Sequence, residues 1–480
     1  MLSSKKFYIF LLINMIAWTI IPCLRECLPL DTQEAIVWGK FSLWGTTKHP
    51  PLSGWVAYPF FEIFQKSHWS MYLLSQIFVA LGIIYIYKLA NLFLDKNKAL
   101  LASILQFGII YYNFSSVEFN VNLISLTLWP ACTYHFWKAY QQNKLSDWLL
   151  FGLFAGLNIL NKYVGGLLLL AIGIFIIADK KFFKILKNYK IYIAIFLGII
   201  LVSPHLYWLY ENDFEMLNYI ASRNKVGEIT SILKHLVYPI KFLLAQILFS
   251  SATLITYFIF YGFSEKQPKR INLSESKFIL ILGLFPLLFF ASISMIKGTP
   301  LKSMWGFPCL FLLGINLCYF FPIVIKEKIC KKIFITMIGW SILLMCAYIL
   351  QISLTRSERF HTNCPQLAKI MQEKWNIQTH NKPLEYVVSE SWFAHIMSIQ
   401  SDYKIKPMIW MKPKINPWFD ENDFHQKGAM IITSNLPEYE NYKNMYPEKV
   451  SKPEIMEMVF HNFFGKSKIR TIYYGYYNVE

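Results

Sequence analysis

The feature that most constrains this chain is a series of apolar runs, each close to the length of a bilayer-spanning helix, in residues 1–353. An α-helix needs about 20 apolar residues to cross the hydrocarbon core of a bilayer. Of the 480 residues, 55% are hydrophobic and only 16% are charged, which excludes an ordinary soluble protein. The runs predict about eleven transmembrane helices, at residues 7–23, 70–94, 99–114, 121–137, 148–161, 165–178, 191–209, 236–262, 278–296, 306–325 and 333–353.

The distribution of the net charge of +18 indicates a membrane protein rather than a nucleic-acid-binding protein. Residues 1–353 contain 31 Lys and Arg against 15 Asp and Glu, whereas residues 354–480 contain 16 against 14. The excess lies in every second link between apolar runs, as the positive-inside rule expects of cytoplasmic loops. We therefore expect a cytoplasmic N-terminus, the lipid bilayer as a partner and no nucleic acid partner. The basic links contain Lys5, Lys6, Lys96, Lys98, Lys138, Lys144, Lys180, Lys181, Lys184, Lys187, Lys190, Lys266, Lys269, Arg270, Lys326, Lys328, Lys331 and Lys332.

Residues 354–480 follow the last apolar run, and an odd number of spans places them outside the cytoplasm. Helix-like segments alternate there with short apolar runs typical of strands, which predicts a small α/β domain. The helix-like segments are 366–375 and 392–399, and the strand-like runs are 384–388, 408–411, 429–433 and 469–474. The predicted division is thus a membrane domain at 1–353 and an extracytoplasmic α/β domain at 354–480.

The first predicted outside loop, residues 24–69, is long and does not have the pattern of coil. Apolar residues recur at helical spacing from Asp31 to Trp44 and again over 52–64, which predicts two amphipathic helices lying in the membrane interface. Asp31 and Glu34 have the spacing of a helix capping box. They also suit acid–base chemistry at the membrane surface, with Asp31 as a general base. The two interpretations are compatible, because a capping carboxylate lies at an exposed helix start.

A stiff basic turn, Lys48-His49-Pro50-Pro51, follows in the same loop. The two prolines restrict the backbone, and the Lys-His pair supplies a cation and a further donor for phosphate oxygens. One interpretation is a phosphate site, and the other is a solvated lysine beside lipid headgroups. Upstream of the turn, Cys23 and Cys27 are four residues apart and could form a disulfide in an oxidising compartment.

The remaining outside links add polar side chains on the same face of the membrane. The middles of the spans are nearly free of ionisable residues, whereas a transporter needs such residues near the bilayer midplane. This asymmetry favours chemistry at the outer surface over transport. The candidate side chains in these links are Glu118, Lys162, Tyr163, His205, Arg223 and Lys302.

Acids and cations at an outer membrane surface suit the transfer of a sugar from a polyprenyl-phosphate carrier. A carboxylate can accept the proton of the acceptor hydroxyl, and Lys and Arg can stabilise the charge that develops on the departing phosphate. Attack opposite the departing phosphate inverts the anomeric centre. The DxD-type metal motif of many nucleotide-sugar enzymes is absent from this sequence. We therefore predict no cofactor and no obligatory divalent metal.

Several of these stretches occur together in one known family. The first-loop residues, with three later stretches in the same order, resemble the bacterial members of the protein O-mannosyltransferase family, which are related to aminoarabinose transferases of lipid A (family 39-like glycosyltransferases). The family carries an adjacent Asp-Glu pair in its first loop, whereas here Thr32 follows Asp31. The later stretches are Phe119-Asn120-Val121-Asn122 leading to Leu128-Trp129-Pro130, Leu160-Asn161-Lys162-Tyr163, and Pro204-His205-Leu206-Tyr207-Trp208 with Asn212-Asp213-Phe214.

The resemblance implies a GT-C fold, that is, an α-helical polytopic membrane protein with a small C-terminal α/β extracytoplasmic domain. It implies location in the bacterial inner (plasma) membrane. It also implies an inverting hexosyl- or pentosyltransferase with a polyprenyl-phosphate sugar donor and a periplasmic lipid or glycan acceptor. Lipid A, another envelope glycan and a protein are open as acceptors. The alternatives are a flippase or other transporter of lipid-linked sugars, and a non-catalytic assembly subunit that uses its outside domain as a docking surface.

The resemblance also implies roles for individual residues. Asp31, with Glu34, is expected to be catalytic. The expected donor-phosphate contacts are Lys48, His49, Lys162 and Arg223, and the further substrate contacts are Glu118, Tyr163, His205 and Lys302.

Overall fold

The computed structural model describes residues 3–179, 182–223, 231–268, 272–355, 358–389, 392–409, 416–461 and 467–479. These residues are mostly helical up to residue 354 and mixed helix and strand afterwards. The first sixteen helices are α1 Ser4–Ile20, α2 Leu30–Lys40, α3 Leu52–Ile63, α4 His68–Ala90, α5 Lys96–Ile104, α6 Val121–Gln142, α7 Leu145–Asn161, α8 Gly165–Ala178, α9 Phe182–Leu186, α10 Tyr189–Glu211, α11 Glu215–Arg223, α12 Lys234–Phe249, α13 Ser251–Gly262, α14 Leu273–Lys297, α15 Leu313–Phe320 and α16 Glu327–Leu354. Short 3₁₀ helices lie at Ile21–Leu24, Leu105–Gly108, Ile110–Tyr112, Phe114–Val117 and Ser303–Leu310.

The number of membrane crossings differs from the predicted eleven. In the described part of the chain, five helices are long and apolar enough to cross a membrane, or up to eight if each of three bent pairs is one span. The pairs bend by 89°, 64° and 53° at breaks near residues 109, 250 and 312, and α7 and α8 are shorter apolar helices. Each predicted run overlaps a helix, but apolar character alone does not show where a helix breaks. The protein is a multi-pass membrane protein, and the count of eleven is not confirmed.

The chain divides into two compact units, which differ from the predicted division at residues 353 and 354. The helical unit comprises Met1–Thr19, Lys48–Leu52 and Tyr72–Cys346. The sheet unit comprises Ile20–Thr47, Ser53–Met71 and Ala347–Glu480. Most of the first loop therefore groups with the C-terminal part of the chain. The physical reason is a set of long-range contacts within the sheet unit, described below, that sequence spacing does not show.

The helical unit is organised around α6, α7 and α10. Asn120 caps α6, since its side chain accepts hydrogen bonds from the amides of Asn122 and Leu123 at 2.9 and 3.3 Å. Helices α7 and α10 approach very closely: a Cβ at Gly152 would lie 2.4 Å from the carbonyl oxygen of Ala194, so only glycine fits there. The turn between α7 and α8 carries two of the predicted site residues, Lys162 and Tyr163.

The sheet unit contains a five-stranded mixed sheet in the order β2-β1-β3-β5-β4. β1 pairs in parallel with β2 and β3, whereas β5 pairs antiparallel with β3 and β4. The predicted strand-like runs overlap β1, β2, β3 and β5, although residues 410 and 411 lie outside the described residues; β4, α20 and α21 were not predicted. The elements are α17 Glu358–His361, α18 Cys364–Gln378, β1 Tyr386–Ser389, α19 Trp392–Gln400, β2 Lys406–Ile409, α20 Glu421–Lys427, β3 Ala429–Thr433, α21 Leu436–Met445, β4 Glu454–His461 and β5 Ser467–Tyr477.

Both faces of this sheet are covered, because alternate strand residues enter two different clusters. Val387 and Met430 join the cluster that contains residues of α18 and α19. Tyr386 and Ile431 join the opposite cluster, with residues of α20 and α21. Strands buried on both faces have continuous apolar sequences. This pattern is the reason that β1 and β3 could be predicted from the sequence.

The first-loop helices differ from the prediction in two ways. Pro29, not Asp31, is the N-cap of α2, and no side-chain capping bond is formed there, so the capping box is wrong. Nearly all of α2 is buried, so it is a core helix of the sheet unit rather than an interfacial one. Its contact with α3 is close: a Cβ at Gly39 would lie 2.1 Å from the carbonyl oxygen of Gly54.

The cysteine pairing also differs from the possibility that the sequence suggested. Cys27 forms a disulfide with Cys364, at a sequence separation of 337 residues, and Cys23 is exposed. Both bridged cysteines are buried in the cluster between the sheet and its helices α18 and α19. The bridge therefore ties the start of α18 to the segment that leads into α2.

Candidate active site

The two predicted catalytic carboxylates lie in the first half of α2, in the sheet unit. Asp31 lies in the first turn and is half-buried, whereas Glu34 is 3% exposed. The positive end of a helix dipole stabilises a carboxylate in the first turn. Asp31 is partly accessible at the start of α2, and Glu34 is enclosed by protein.

The predicted phosphate-binding turn lies immediately before α3. Lys48 and His49 are half-buried and have an irregular backbone, and Pro50 and Pro51 are buried. Lys48–Leu52 belongs to the helical unit. The stiffness expected from the two prolines remains a prediction.

A network of side-chain amides supports Lys162 in the turn after α7. The Lys162 ammonium donates to Oδ1 of Asn122 at 2.7 Å, at the start of α6. The neighbouring Asn161 side chain donates to the Val121 carbonyl at 2.7 Å and to Oγ of Ser125 at 3.0 Å. Because Asn161 and Asn122 are buried, the turn cannot shift relative to α6 without breaking these bonds. The Lys162 ammonium is thus placed at the start of α6, at the positive end of the helix dipole.

Tyr163 and His205 form a second polar pair beside this lysine. The Tyr163 hydroxyl lies 2.7 Å from Nε2 of His205, and His205 is fully buried in α10. The indole of Trp208 stacks on the imidazole with ring centroids 6.0 Å apart. Burial raises the pKa of Tyr163 to about 12, so its hydroxyl keeps its proton at neutral pH. The structure thereby brings together two residues that the sequence placed 42 positions apart.

The other predicted contacts occupy separate places in the helical unit. Glu118 ends the 3₁₀ helix Phe114–Val117 and is half-buried. Lys302 is exposed and precedes the 3₁₀ helix Ser303–Leu310, to which its carbonyl contributes a bond from Trp305 at 3.0 Å. Arg223 is the last residue of α11, and its side chain lies outside the described residues.

Sequence reasoning missed the two asparagines that position Lys162. Asn122 and Asn161 are buried amides next to apolar spans, and a buried amide requires hydrogen-bond partners. The signal that could have revealed them is the recurrence of asparagine at 120, 122 and 161, where apolar runs begin or end. A second missed network joins Tyr111, Gln246 and the Ser303 carbonyl, with O···O distances of 2.9 and 2.8 Å from the Tyr111 hydroxyl.

In the part of the chain that the structure describes, no three His, Cys, Asp or Glu side chains are grouped so that they could hold a metal ion. The independence from divalent metal remains a prediction. Chemically, the sheet unit offers carboxylates on α2, and the helical unit offers a tyrosine–imidazole pair and an amide-supported ammonium. Carboxylates can accept protons, and an ammonium can bind phosphate.

Comparison with known proteins agrees with this set of groups. The family model described as dolichyl-phosphate-mannose-protein mannosyltransferase matches residues 48–208, which include Lys48, His49, Glu118, Lys162, Tyr163 and His205. The crystal structure of ArnT from Cupriavidus metallidurans bound to undecaprenyl phosphate superimposes with a TM-score of 0.68, covering 98% of each chain at 11% identity. The apo structure of the same protein gives a TM-score of 0.63.

The protein has the GT-C glycosyltransferase fold.

Two curated proteins are similar in sequence to this GT-C chain. The lipopolysaccharide core galacturonosyltransferase RgtB of Rhizobium johnstonii is 22% identical over 300 residues, 61% of this chain and 60% of RgtB. RgtA of the same organism is 23% identical over 207 residues, 42% of this chain and 40% of RgtA. The chain thus spans about 60% or less of the length of these relatives. The resemblance that the sequence motifs predicted is confirmed. The similarity in fold to ArnT covers 98% of the chain.

Proposed function

We propose that this protein is an inverting glycosyltransferase that moves a sugar from a polyprenyl-phosphate donor to a glycolipid acceptor in the cell envelope. The observation that carries the proposal is the match of residues 48–208 to the dolichyl-phosphate-mannose-protein mannosyltransferase model. That stretch contains the amide-supported Lys162 and the Tyr163–His205 pair. Fold and local chemistry therefore support the same reaction class.

The donor site in this proposal is built on cations. Lys162 is the best-supported phosphate contact, because Asn122 holds its ammonium at the start of α6. Lys48, His49 and Arg223 are the further contacts implied by the family resemblance. The undecaprenyl phosphate bound by the structurally similar ArnT supports a polyprenyl phosphate as the carrier. A lysine acts as a point charge on a monophosphate leaving group and needs no metal to do so.

Asp31 is the proposed general base. The acceptor hydroxyl oxygen attacks the anomeric carbon while its proton passes to the Asp31 carboxylate. The bond between the anomeric carbon and the phosphate oxygen breaks, and the electron pair leaves with the polyprenyl phosphate. Attack from the face opposite the phosphate inverts the anomeric centre. Glu34 is 3% exposed, so we assign it a supporting role on α2 rather than direct proton transfer.

The acceptor that we propose is a lipopolysaccharide-type glycolipid. Support comes from RgtB and RgtA, both named as lipopolysaccharide core galacturonosyltransferases. Tyr163, His205, Glu118 and Lys302 are the proposed contacts for the sugar and the acceptor. The sugar itself, hexose-type or pentose-type, is an outcome of the experiment below.

We propose that the reaction takes place at the periplasmic face of a bacterial inner membrane, with the N-terminus in the cytoplasm. The Cys27–Cys364 disulfide supports this orientation of the sheet unit, because disulfides persist in oxidising compartments. In intact cells, a cysteine introduced at position 31 should react with a membrane-impermeant maleimide. Labelling only after the inner membrane is opened would reverse the orientation.

The test of the function is a transfer assay in proteoliposomes that contain the purified protein, a labelled undecaprenyl-phosphate sugar and lipid A. We expect release of undecaprenyl phosphate and a glycolipid heavier by one sugar, with inverted anomeric configuration. Chelation by EDTA should leave the rate unchanged. Movement of the intact labelled donor across the bilayer without cleavage would support the flippase alternative and overturn the proposal.

A further inference from the structure

The helix that carries the proposed base is an internal element of the sheet unit. Thr32, Gln33, Glu34, Ala35, Ile36 and Val37 are all at most 3% exposed. A helix buried on every side is positioned by its neighbours rather than by a membrane surface. Besides α3, α2 packs against α19, whose residues from Trp392 to Ile399 are all buried.

Lys40 joins the C-terminal end of α2 to the C-terminal end of α19. Its ammonium donates to three carbonyl oxygens, those of Ser398 at 2.5 Å, Ser401 at 2.9 Å and Tyr403 at 2.9 Å. The last carbonyls of a helix lack partners within the helix and carry partial negative charge. An ammonium has three N–H donors. Lys40, which is 5% exposed, therefore uses all three donors in its bonds to these carbonyl oxygens.

The other end of α2 is tied to the C-terminal part of the chain as well. Just before α2, Cys27 is bridged to Cys364, and the amide of Glu26 donates to the Phe360 carbonyl at 3.0 Å. Within α2, the Gln33 side chain donates to the Leu28 carbonyl at 2.8 Å. The helix is therefore held at both ends by residues from 360 to 403, so its position depends on the C-terminal segment.

We propose that Lys40 is a positioning residue for the reaction, and that through its cap on α19 the C-terminal α/β segment sets the position of Asp31. This inference rests on the proposed function, because it takes Asp31 as the base. It gives the C-terminal segment a role in the chemistry without any contact with substrate. A displacement of about 1 Å in a catalytic group can lower a rate by roughly 10²-fold.

The charges around Lys40 make this role dependent on pH. The groups that interact with it are Lys66 and Glu62 from the end of the α3 segment, and Asp402 and Lys404 from the loop after α19. Burial, assisted by repulsion from Lys66, lowers the pKa of Lys40 to about 8, and Glu62 and Asp402 oppose the shift. Above that pH the amine keeps two N–H donors and loses its charge, so one carbonyl bond is lost and the others weaken.

This deprotonation does not unfold the protein. The pKa of Lys40 is lower in the folded state than its ordinary value of 10.5. Between about pH 8 and 10.5 the unfolded chain therefore binds more protons than the folded one, and the contribution of Lys40 to the free energy of unfolding rises with pH. A loss of activity with a midpoint near pH 8 would thus report a change in positioning rather than a loss of stability.

The experiment compares Lys40→Met and Lys40→Arg with Lys66→Met in the full-length protein in nanodiscs. Lys66 is a matched control, because its ammonium contacts the same helix end but pairs at 2.5 Å with a 94% exposed Asp402. In Lys40→Met we expect kcat to fall about tenfold to a hundredfold at pH 7 with the donor KM unchanged. Lys40→Arg should retain most of kcat and lack the fall near pH 8, and Lys66→Met should stay within about twofold of wild type.

Amide hydrogen exchange of residues 30–41 supplies a readout that does not depend on activity. Lys40→Met should speed exchange in α2 more than Lys66→Met does, and Lys40→Arg should restore protection. A kcat of Lys40→Met within twofold of wild type, or unchanged exchange in α2, would overturn the proposal. Full activity of Asp31→Asn would instead remove the base assignment, and the exchange result would still decide whether Lys40 holds α2.

Discussion

Helices α10 and α19 are both rich in large apolar residues, but several of these side chains are exposed in α10, whereas those of α19 are buried. In α10 the side chains of Phe196 and Ile199 are 64% and 57% exposed. In α19 those of Phe393 and Ile396 are 2% and 0% exposed. An apolar side chain gains free energy when it leaves water, and lipid satisfies it as well as protein does. The difference indicates that α10 presents apolar side chains to lipid, whereas α19 is enclosed by protein.

Polar groups are buried in both units. In the helical unit some lie at helix ends, as with Asn122 and Lys162, and others lie inside helices, as with His205. In the sheet unit polar side chains penetrate the core, as with Lys40, because each finds a full set of partners there. The proposed reaction uses Asp31 from the sheet unit and Lys162 from the helical unit. The following predictions test the comparison between the two units.

The largest effect is expected at Asp31, in the sheet unit. Asp31→Asn removes the proposed base while keeping shape, so kcat/KM for sugar transfer should fall by about 10³-fold. Glu34→Gln is the matched control on the same helix, and we expect it to cost about tenfold because Glu34 is enclosed by protein. Transfer assays with purified variants, accompanied by unchanged thermal unfolding, would check both. A loss of less than tenfold in Asp31→Asn would assign proton transfer to another group.

The contrast between the two helices is tested by one substitution in each. Ile396→Ala in α19 leaves a cavity in a closed core, and the free energy of unfolding should fall by about 2–5 kcal/mol. Ile199→Ala in α10 removes a side chain that faces lipid, and the change should stay near about 0.5 kcal/mol. Denaturant unfolding in nanodiscs, with tryptophan fluorescence as the signal, measures both. Equal losses would mean that α10 is enclosed by protein, contrary to the structure.

The disulfide of the sheet unit should contribute measurably to stability. Replacing Cys27 and Cys364 together by serine, or reducing the bridge, should lower the free energy of unfolding by about 2–4 kcal/mol, because the bridge closes a loop of 337 residues. Cys23→Ser is the control and should change nothing, since Cys23 is outside the bridge. Thermal unfolding with and without dithiothreitol measures the effect. If the double variant were as stable as wild type, the first loop would be held by other contacts alone.

The smallest of the four effects belongs to the helical unit. Lys162→Ala should lower kcat/KM for the lipid-linked donor by about 10²-fold, because one charge contact with the departing phosphate is lost. Asn122→Ala should cost about tenfold, since the ammonium remains but loses its support. Lys297→Ala, at the exposed end of α14, is the control for general charge loss. If the acceptor KM changed and the donor parameters did not, Lys162 would belong to the acceptor site.

Local sequence patterns predicted much of this architecture. Each apolar run overlapped a helix, and the runs at 384–388 and 429–433 overlapped strands, because burial on both faces leaves a continuous apolar run. Lys162, Tyr163 and His205 were selected from the sequence, and the structure showed how Asn122 and Asn161 hold the turn. The predicted capping box is wrong because Pro29, not Asp31, is the N-cap of α2. The predicted interfacial position of this helix is wrong because its polar residues are also buried.

By itself, the sequence determined that this protein is a multi-pass membrane protein, because the apolar length needed to cross a bilayer is a local property of the chain. Only the tertiary structure decided that Cys27 pairs with Cys364 and that Lys40 caps α19. Those partners are separated by more than 300 residues, and sequence periodicity carries no information over such distances. The position of the proposed base is set by contacts of that long-range kind, because packing, not spacing, determines which distant side chains meet.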